Sequence, residues 1–399
     1  MTSRRFRMTV GDRRCDIHGF THHHIQAAVD RAALLGGGEV VLSRGVFRMG
    51  DALHMRSGVS VRGQGPETVL LKNPMKTARI TCFLGYGHND IEVDQPDLFE
   101  PGEGVHIRDD HSTGFYNTVA TLVHREGNVW YTNRPHHHDY LARHGARIET
   151  LFPIVAAEGI HDATIEDLRI EGNRRQNPVF SNPCRACAFL ALNAHCITVR
   201  RLIVRDFNGD GFGFQTCDDF LGEECVVEHC TGNGFHPGSG SNRFILRRCI
   251  SRRNGGCGLF YCLRVRHGLV EECRFESNGS HGLSVGERDT DSVNRRLVIR
   301  LNGGAGFYIR ACDRANAAHR TRLEDSLLEQ NVRKPGEEPL AEVVFQGETE
   351  GLAAVGNTIR RRPGVPALRA TASCAPFEWR ENRIRPEGVD ALQIETAGQ

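Results

Sequence analysis

Lysine is almost missing from this chain of 399 residues: Lys72, Lys76 and Lys334 are the only ones, so 47 of the 50 basic residues are arginine. The central third of the chain therefore offers no lysine as a general base. Aromatic residues make up 7%, which disfavours a stacking surface spread along the chain. No sign of charge dominates. The formal net charge is +1, so no long-range pull toward nucleic acid or anionic membranes is expected. No apolar run approaches the roughly 20 residues of a membrane span. The basic start Met1-Thr-Ser-Arg-Arg-Phe-Arg7 has no apolar stretch behind it, so no signal peptide is expected. The 14 cysteines then read as reduced thiols of a cytoplasmic protein.

What is present is repetition. Small apolar residues preceded by two charged or polar ones recur at Leu202, Cys230, Cys249 and Cys273. Asparagine–glycine pairs follow at Asn208-Gly209, Asn254-Gly255, Asn278-Gly279 and Asn302-Gly303. After each comes a short alternation: Phe212-Gly-Phe214, Leu259-Phe-Tyr261, Leu283-Ser-Val285, Phe307-Tyr-Ile309. Short units with period-2 strands and no helical period predict a parallel β-solenoid, in which each coil buries its apolar face only by stacking on its neighbours. The asparagines are expected to supply left-handed turns and to hydrogen-bond along the stack. Cys230, Cys249 and Cys273 are expected to share one inward column.

Apolar residues fall at helical spacing in Thr21-His-His-His-Ile25-Gln-Ala-Ala-Val29-Asp-Arg-Ala32-Ala-Leu-Leu35, with Thr21 as the expected N-cap and Gly36-Gly37-Gly38 as the stop. Glu39–Leu42, Gly45–Met49 and Val59–Val61 follow as strands. These segments, with Gly58-Val-Ser-Val61-Arg-Gly-Gln-Gly65, resemble the start of the pectate-lyase-like (pectin lyase fold) superfamily of right-handed parallel β-helices. The resemblance implies that the helix plugs the open end of the solenoid, where strand edges would otherwise be unpaired. It implies fold strongly and activity weakly, because that superfamily holds lyases, hydrolases, epimerases and tailspikes.

The expected organisation is a cap with the first coils over residues 1–79 and an inserted antiparallel β-subdomain over 80–152. The main right-handed parallel β-helix then occupies 153–399. Within the insertion, Val105–Ile107, Thr118–Val123 and Asn128–Thr132 alternate as strands, with a hairpin turn at Arg125-Glu-Gly-Asn128.

Side chains alternate in and out along each solenoid strand, and neighbouring coils lie about 5 Å apart. The outward row is then Gly213, Gln215, His236, Phe260, Cys262, Ser284, Gly286, Tyr308 and Arg310. Loops leaving it add Asp218, Asp219, Ser239, Ser241, Arg264, Arg266, His267, Glu287, Arg288, Asp289 and Asp291. β-Elimination on a uronic acid needs a cation for the sugar carboxylate and a base for the C5 proton. Arg264 and Arg266 fit the first role and His236 the second. Glycoside hydrolysis needs two carboxyl groups, for which Asp218 and Asp219 are the candidates. The order Asp218-Asp219, His236, Arg264-Val-Arg266 resembles the polygalacturonases. The departures are the context Gly234-Phe-His-Pro-Gly238, Arg266 in place of a lysine, and Asn193 where a further aspartate is expected.

The remaining residues, Gln215, Ser239, Ser241, His267, Glu287, Arg288, Asp289, Asp291, Tyr308 and Arg310, are expected to bind substrate. No metal or cofactor is expected. Gly286-Glu-Arg-Asp-Thr-Asp291 could offer carboxylates to Ca²⁺ but lacks calcium-loop spacing. The triplets His22-His-His24 and His136-His-His138 are poorly placed to share one ion. Cys184-Arg-Ala-Cys187 has metal or redox spacing without a second pair, which favours packing. The expected function is a carbohydrate-active enzyme on an acidic, uronate-containing oligo- or polysaccharide, a β-elimination lyase. The alternatives are a polygalacturonase-like hydrolase, a uronate epimerase, or a non-catalytic glycan-binding or tailspike-like solenoid. The partner is the carbohydrate, with no nucleic acid and no membrane.

Overall fold

The computed structural model describes residues 6–83, 85–334, 340–388 and 390–395. The chain divides into two compact units, residues 1–190 with 206–213, and residues 191–205 with 214–399. Both are built on parallel β-coils.

In the first unit the helix His22–Leu34 buries Ile25, Ala28, Val29 and Ala32, the single stripe that its spacing creates. It packs on the strands Arg7–Gly11 and Gly38–Leu42. Thr21 does occupy the N-cap with an extended backbone, yet it caps no backbone N–H. Its hydroxyl instead meets His24 Nδ1 at 2.7 Å, because the imidazole one turn ahead takes the oxygen that the helix would have used. Glycine is needed at the helix exit. Gly37 has φ of +110°, and a Cβ there would lie 2.6 Å from the Gly58 carbonyl. One parallel ladder runs through Arg7–Gly11, Gly38–Leu42, Val59–Arg62 and His161–Glu166, and another through Gly45–Met49, Thr68–Lys72 and Arg169–Glu171.

The insertion is a six-stranded antiparallel sheet that includes Gly104–Arg108, Thr118–Glu126 and Val129–Thr132. It starts at Thr77, ahead of the expected residue 80, because Thr77–Arg79 pairs with Arg147–Glu149. Val105, Ile107, Leu122, Trp130, Tyr140 and Ile148 form its own core.

In the second unit three strands per coil repeat with a constant register. Ile245 pairs with Leu269 and Leu269 with Val293; Ile250 pairs with Arg274; Leu259 pairs with Leu283 and Leu283 with Phe307. The inward cysteine column is Cys225, Cys249 and Cys273, with the Cys249 N–H 3.3 Å from Cys273 Sγ. This corrects the expected column. Cys230 stands five residues beyond Cys225, and its N–H donates to Asn254 Oδ1 at 3.0 Å.

That contact begins a buried ladder through Asn254, Asn278, Asn302 and Asn331. From Asn278 onward, each Oδ1 accepts both the backbone and the side-chain N–H of the preceding asparagine, at 2.8–3.2 Å. Glu342 closes the ladder. The expected stacking therefore occurs, but the left-handed turns do not sit on the asparagines. They fall on the preceding Arg253, Ser277 and Leu301, at φ of 56°, 56° and 58°. The paired glycines serve close approach: a Cβ on Gly279 would lie 2.1 Å from the Gly255 carbonyl.

Candidate functional site

Registers Phe235–Leu259, Phe260–Ser284 and Ser284–Tyr308 place His236, Phe260, Ser284 and Tyr308 on one outward row of the second unit. Gly238, Cys262, Gly286 and Arg310 form the next outward positions, since the Cys262 N–H meets Pro237 O and the Arg310 N–H meets Val285 O.

Arg310 holds this surface together. Its guanidinium reaches back across two coils, donating through Nη2 to the carbonyls of Tyr261 and Cys262 at 2.8 and 2.9 Å and through Nη1 to Ser284 Oγ at 3.0 Å. It lies 4.6 Å from the centroid of the Phe260 ring, a cation–π contact. Glycine at 286 makes this path available, because a Cβ there would sit 2.6 Å from Arg310 Nε. Beneath it, buried Asp289 is 3.5 Å from Nη2 and accepts the Val265 and Gly286 N–H groups. Burial pushes its carboxyl up to about 7, against the lowering effect of those two bonds and of Arg310.

Tyr308 stacks on His281, with ring centroids 4.2 Å apart and planes 7° from parallel. The Tyr308 hydroxyl donates to Gln346 Oε1 at 3.1 Å. His281 Nδ1 accepts the Ala305 N–H at 3.0 Å, so the neutral ring carries its proton on Nε2. Burial, then the charge of Arg310, lowers its pKa to about 4. His281 escaped sequence reasoning. Its signal was weak: a histidine at a pre-strand position that Cys257 and Ala305 occupy in the flanking coils.

His236 lies edge-on to Phe260, with centroids 5.3 Å apart, and is only 4% exposed. Gln215 is buried against Gly238. Half-buried Tyr308, Arg310, Phe260 and Cys262 are thus the accessible groups of the row.

The other candidates lie at turns. Asp218, Asn242, Arg266 and Thr290 pair in succession along a turn ladder beside the row. Asp219 makes a two-point ion pair with Arg243 at 2.8 and 2.9 Å, which holds its carboxyl below the usual range. Asp218 lies 3.8 Å from both His195 and Arg243. Arg264, Arg266 and His267 are exposed on this turn and are not part of the row. Ser239 and Glu287 are turn residues with φ of 44° and 39°, and Arg288 follows at 66°. Ser241 is buried, its Oγ accepting the Cys217 N–H at 3.1 Å. Asp291 pairs with Arg320 at 2.5 and 2.9 Å, which pulls its carboxyl down to about 2. Both aspartates of Gly286–Asp291 are therefore engaged by protein donors.

Among the described residues, no group of three or more His, Cys, Asp and Glu side chains could hold a metal ion. The histidine triplets serve packing. His22 bridges the Gly50 N–H and the Gly102 carbonyl, and His136 meets the Asp90 carbonyl.

The family model described as right handed beta helix region matches residues 186–336. This chain is a right-handed parallel β-helix protein. No curated protein sequence matches it. Among solved structures, the β-helix is similar to the A-module of mannuronan C-5 epimerase AlgE4 from Azotobacter vinelandii. That match covers 94% of this chain and 96% of the other, at 16% identity and a TM-score of 0.51. It is similar to an exopolygalacturonase from Yersinia enterocolitica over 94% of this chain and 74% of that one, at 10% identity and a TM-score of 0.54. It is also similar to an alginate lyase from a Paenibacillus species over 98% and 99%, at 10% identity and a TM-score of 0.50. At these identities the likeness is one of fold.

Proposed function

We propose that this β-helix is a carbohydrate-active enzyme that cleaves an acidic, uronate-containing polysaccharide by β-elimination. The observation that carries the reading is the outward row. It joins a fixed cation, Arg310, to the phenol of Tyr308 and the neutral imidazole of His281, and none of its eight positions is a carboxylate. Hydrolysis needs two carboxyl groups at the scissile bond, one protonated and one ionised; Asp289, raised to about 7, is closed off from solvent beneath Arg310, and Asp219 is held ionised by Arg243 on the turn ladder.

In this reading Arg310 binds the sugar carboxylate and stabilises the negative charge that grows as the C5 proton leaves. Tyr308, as phenolate, takes that proton. The electron pair of the C5–H bond becomes the C4–C5 double bond, the C4–O bond breaks, and the Tyr308 O–H returns the proton to the departing oxygen. His281 donates its Nε2–H toward the sugar carboxylate. His236 positions Phe260 from behind. Three similar folds are named for mannuronan, alginate and polygalacturonate, all uronate polymers, which supports an acidic substrate. The epimerase likeness favours a second reading, C5 epimerisation, which shares the proton-removal step.

A panel of uronate polymers, followed by ultraviolet absorbance of unsaturated product alongside reducing ends, tests this. Elimination predicts both signals. Tyr308→Phe should lower kcat by about 10²-fold or more, the usual contribution of a general base, and Arg264→Ala should leave it in place. Reducing ends without absorbance would replace elimination by hydrolysis. Deuterium incorporation at C5 without chain cleavage would replace it by epimerisation.

A further inference from the structure

The antiparallel insertion exposes two adjacent aromatic side chains, Tyr116 at 61% and Phe115 at 38%. Adjacent rings in water beside a guanidinium offer a stacking face and a charge to one ligand. The turn that carries them is clamped. Asn182 Nδ2 donates to the Gly114 carbonyl at 2.6 Å, and Arg185 donates to the Phe115 carbonyl through Nη2 and Nε at 2.5 and 3.2 Å. The Tyr140 hydroxyl donates to the Tyr116 carbonyl at 2.6 Å. All three carbonyls of the turn Gly114–Tyr116 are thus held by side chains distant in sequence. The Arg185 guanidinium also lies 5.3 Å over the Phe115 ring, and the His138 ring sits 5.5 Å from that of Tyr116.

A surface already held in shape loses little freedom when a ligand arrives. Two rings and a guanidinium are far smaller than the roughly 800 Å² per partner of a stable protein interface, but they match one sugar ring. The cationic edge selects a negatively charged one. We propose that Phe115, Tyr116 and Arg185 form a second, non-catalytic sugar-binding site for a uronate residue. The C–H face of the pyranose rests on Tyr116 and its carboxylate turns toward Arg185. The proposal rests on the reading that the substrate is an acidic polysaccharide.

The test is calorimetric titration of the full chain carrying Arg310→Ala, so that turnover does not consume the ligand. The probes are alginate and polygalacturonate oligosaccharides, with maltodextrin as the uncharged control. Adding Tyr116→Ala, at an exposed position where folding is not at stake, should weaken binding of a charged oligosaccharide about tenfold, the size of one ring contact. Tyr116→Phe should restore it. Unchanged affinity with Tyr116→Ala, or equal affinity for maltodextrin, overturns the proposal. Unsaturated-product formation by the chain without these substitutions is read separately. If it occurs while Tyr116→Ala leaves binding unchanged, only the second site falls. Tyr116-dependent binding in a chain that yields no product upholds the second site and removes the elimination reading.

Discussion

Replacing Glu342 by glutamine should change how the stability of the second unit depends on pH. Glu342 is fully buried at the end of the asparagine ladder, where Oε1 accepts the Asn331 N–H at 2.9 Å and Oε2 accepts its Nδ2 at 2.6 Å. Burial pushes its carboxyl up from 4.5 to about 7, although both bonds from Asn331 oppose the shift. Below pH 4.5 the folded and unfolded chains both hold the proton, and the group has no effect. Between there and about 7 the unfolded chain releases it and the folded chain keeps it, so stability falls as pH rises; the loss is complete above about 7. At 1.36 kcal/mol per pH unit, that interval corresponds to about 3 kcal/mol.

Glutamine does not ionise, and amide oxygens at Asn278 and Asn302 already accept the same pair of donors from the preceding rung. Glu342→Gln should therefore remove this part of the decline. Urea unfolding followed by circular dichroism, across the range from about pH 5 to about pH 8, measures it for both chains. Asp289, raised to about 7 by burial, adds a decline of the same sign to both chains, so the informative quantity is the difference between them. Parallel stability curves for the two chains would refute the argument.

Asn302→Ala should destabilise the ladder by about 3 kcal/mol, because the Asn278 N–H, one of the two Asn278 Nδ2 hydrogens and the Phe275 carbonyl each lose the partner that Asn302 supplies; thermal unfolding reads this directly. Lys72 should act in the opposite sense to Glu342. Its buried ammonium, donating to the Thr150 carbonyl at 2.6 Å and lying 4.3 Å from the Phe152 ring, is pushed down to about 7. The folded chain then loses a proton that the unfolded chain keeps, so stability rises from about pH 7 toward 10.5, and Lys72→Met should abolish that rise in urea titrations. Arg243→Ala should leave the thermal unfolding midpoint nearly unchanged, because its pair with Asp219 is exposed and screened by water. It should also leave elimination kinetics unchanged; a large loss of kcat would return Asp219 to the chemistry.

The solenoid, the capping helix and the alternation that turns Phe260, Ser284 and Tyr308 outward were legible in the sequence, because each follows from local period and turn chemistry. A residue two places along a strand faces the same way whatever surrounds it. Contacts between coils obey no such local rule. Cys230 looked like a member of the cysteine column, but coil register set Cys225 there instead. Asp218 and Asp219 read as a carboxylate pair, and no local pattern shows that Arg243, one coil away, binds Asp219 at two points. Arg310 acts on Phe260 and the Cys262 carbonyl about fifty residues earlier, and His281 meets Tyr308 only because the next coil stacks on its own. The sequence by itself determined the architecture and the outward face. Only the tertiary structure decided which charges neutralise one another and which remain available, because those pairings depend on the distance between coils rather than on the order of residues within one.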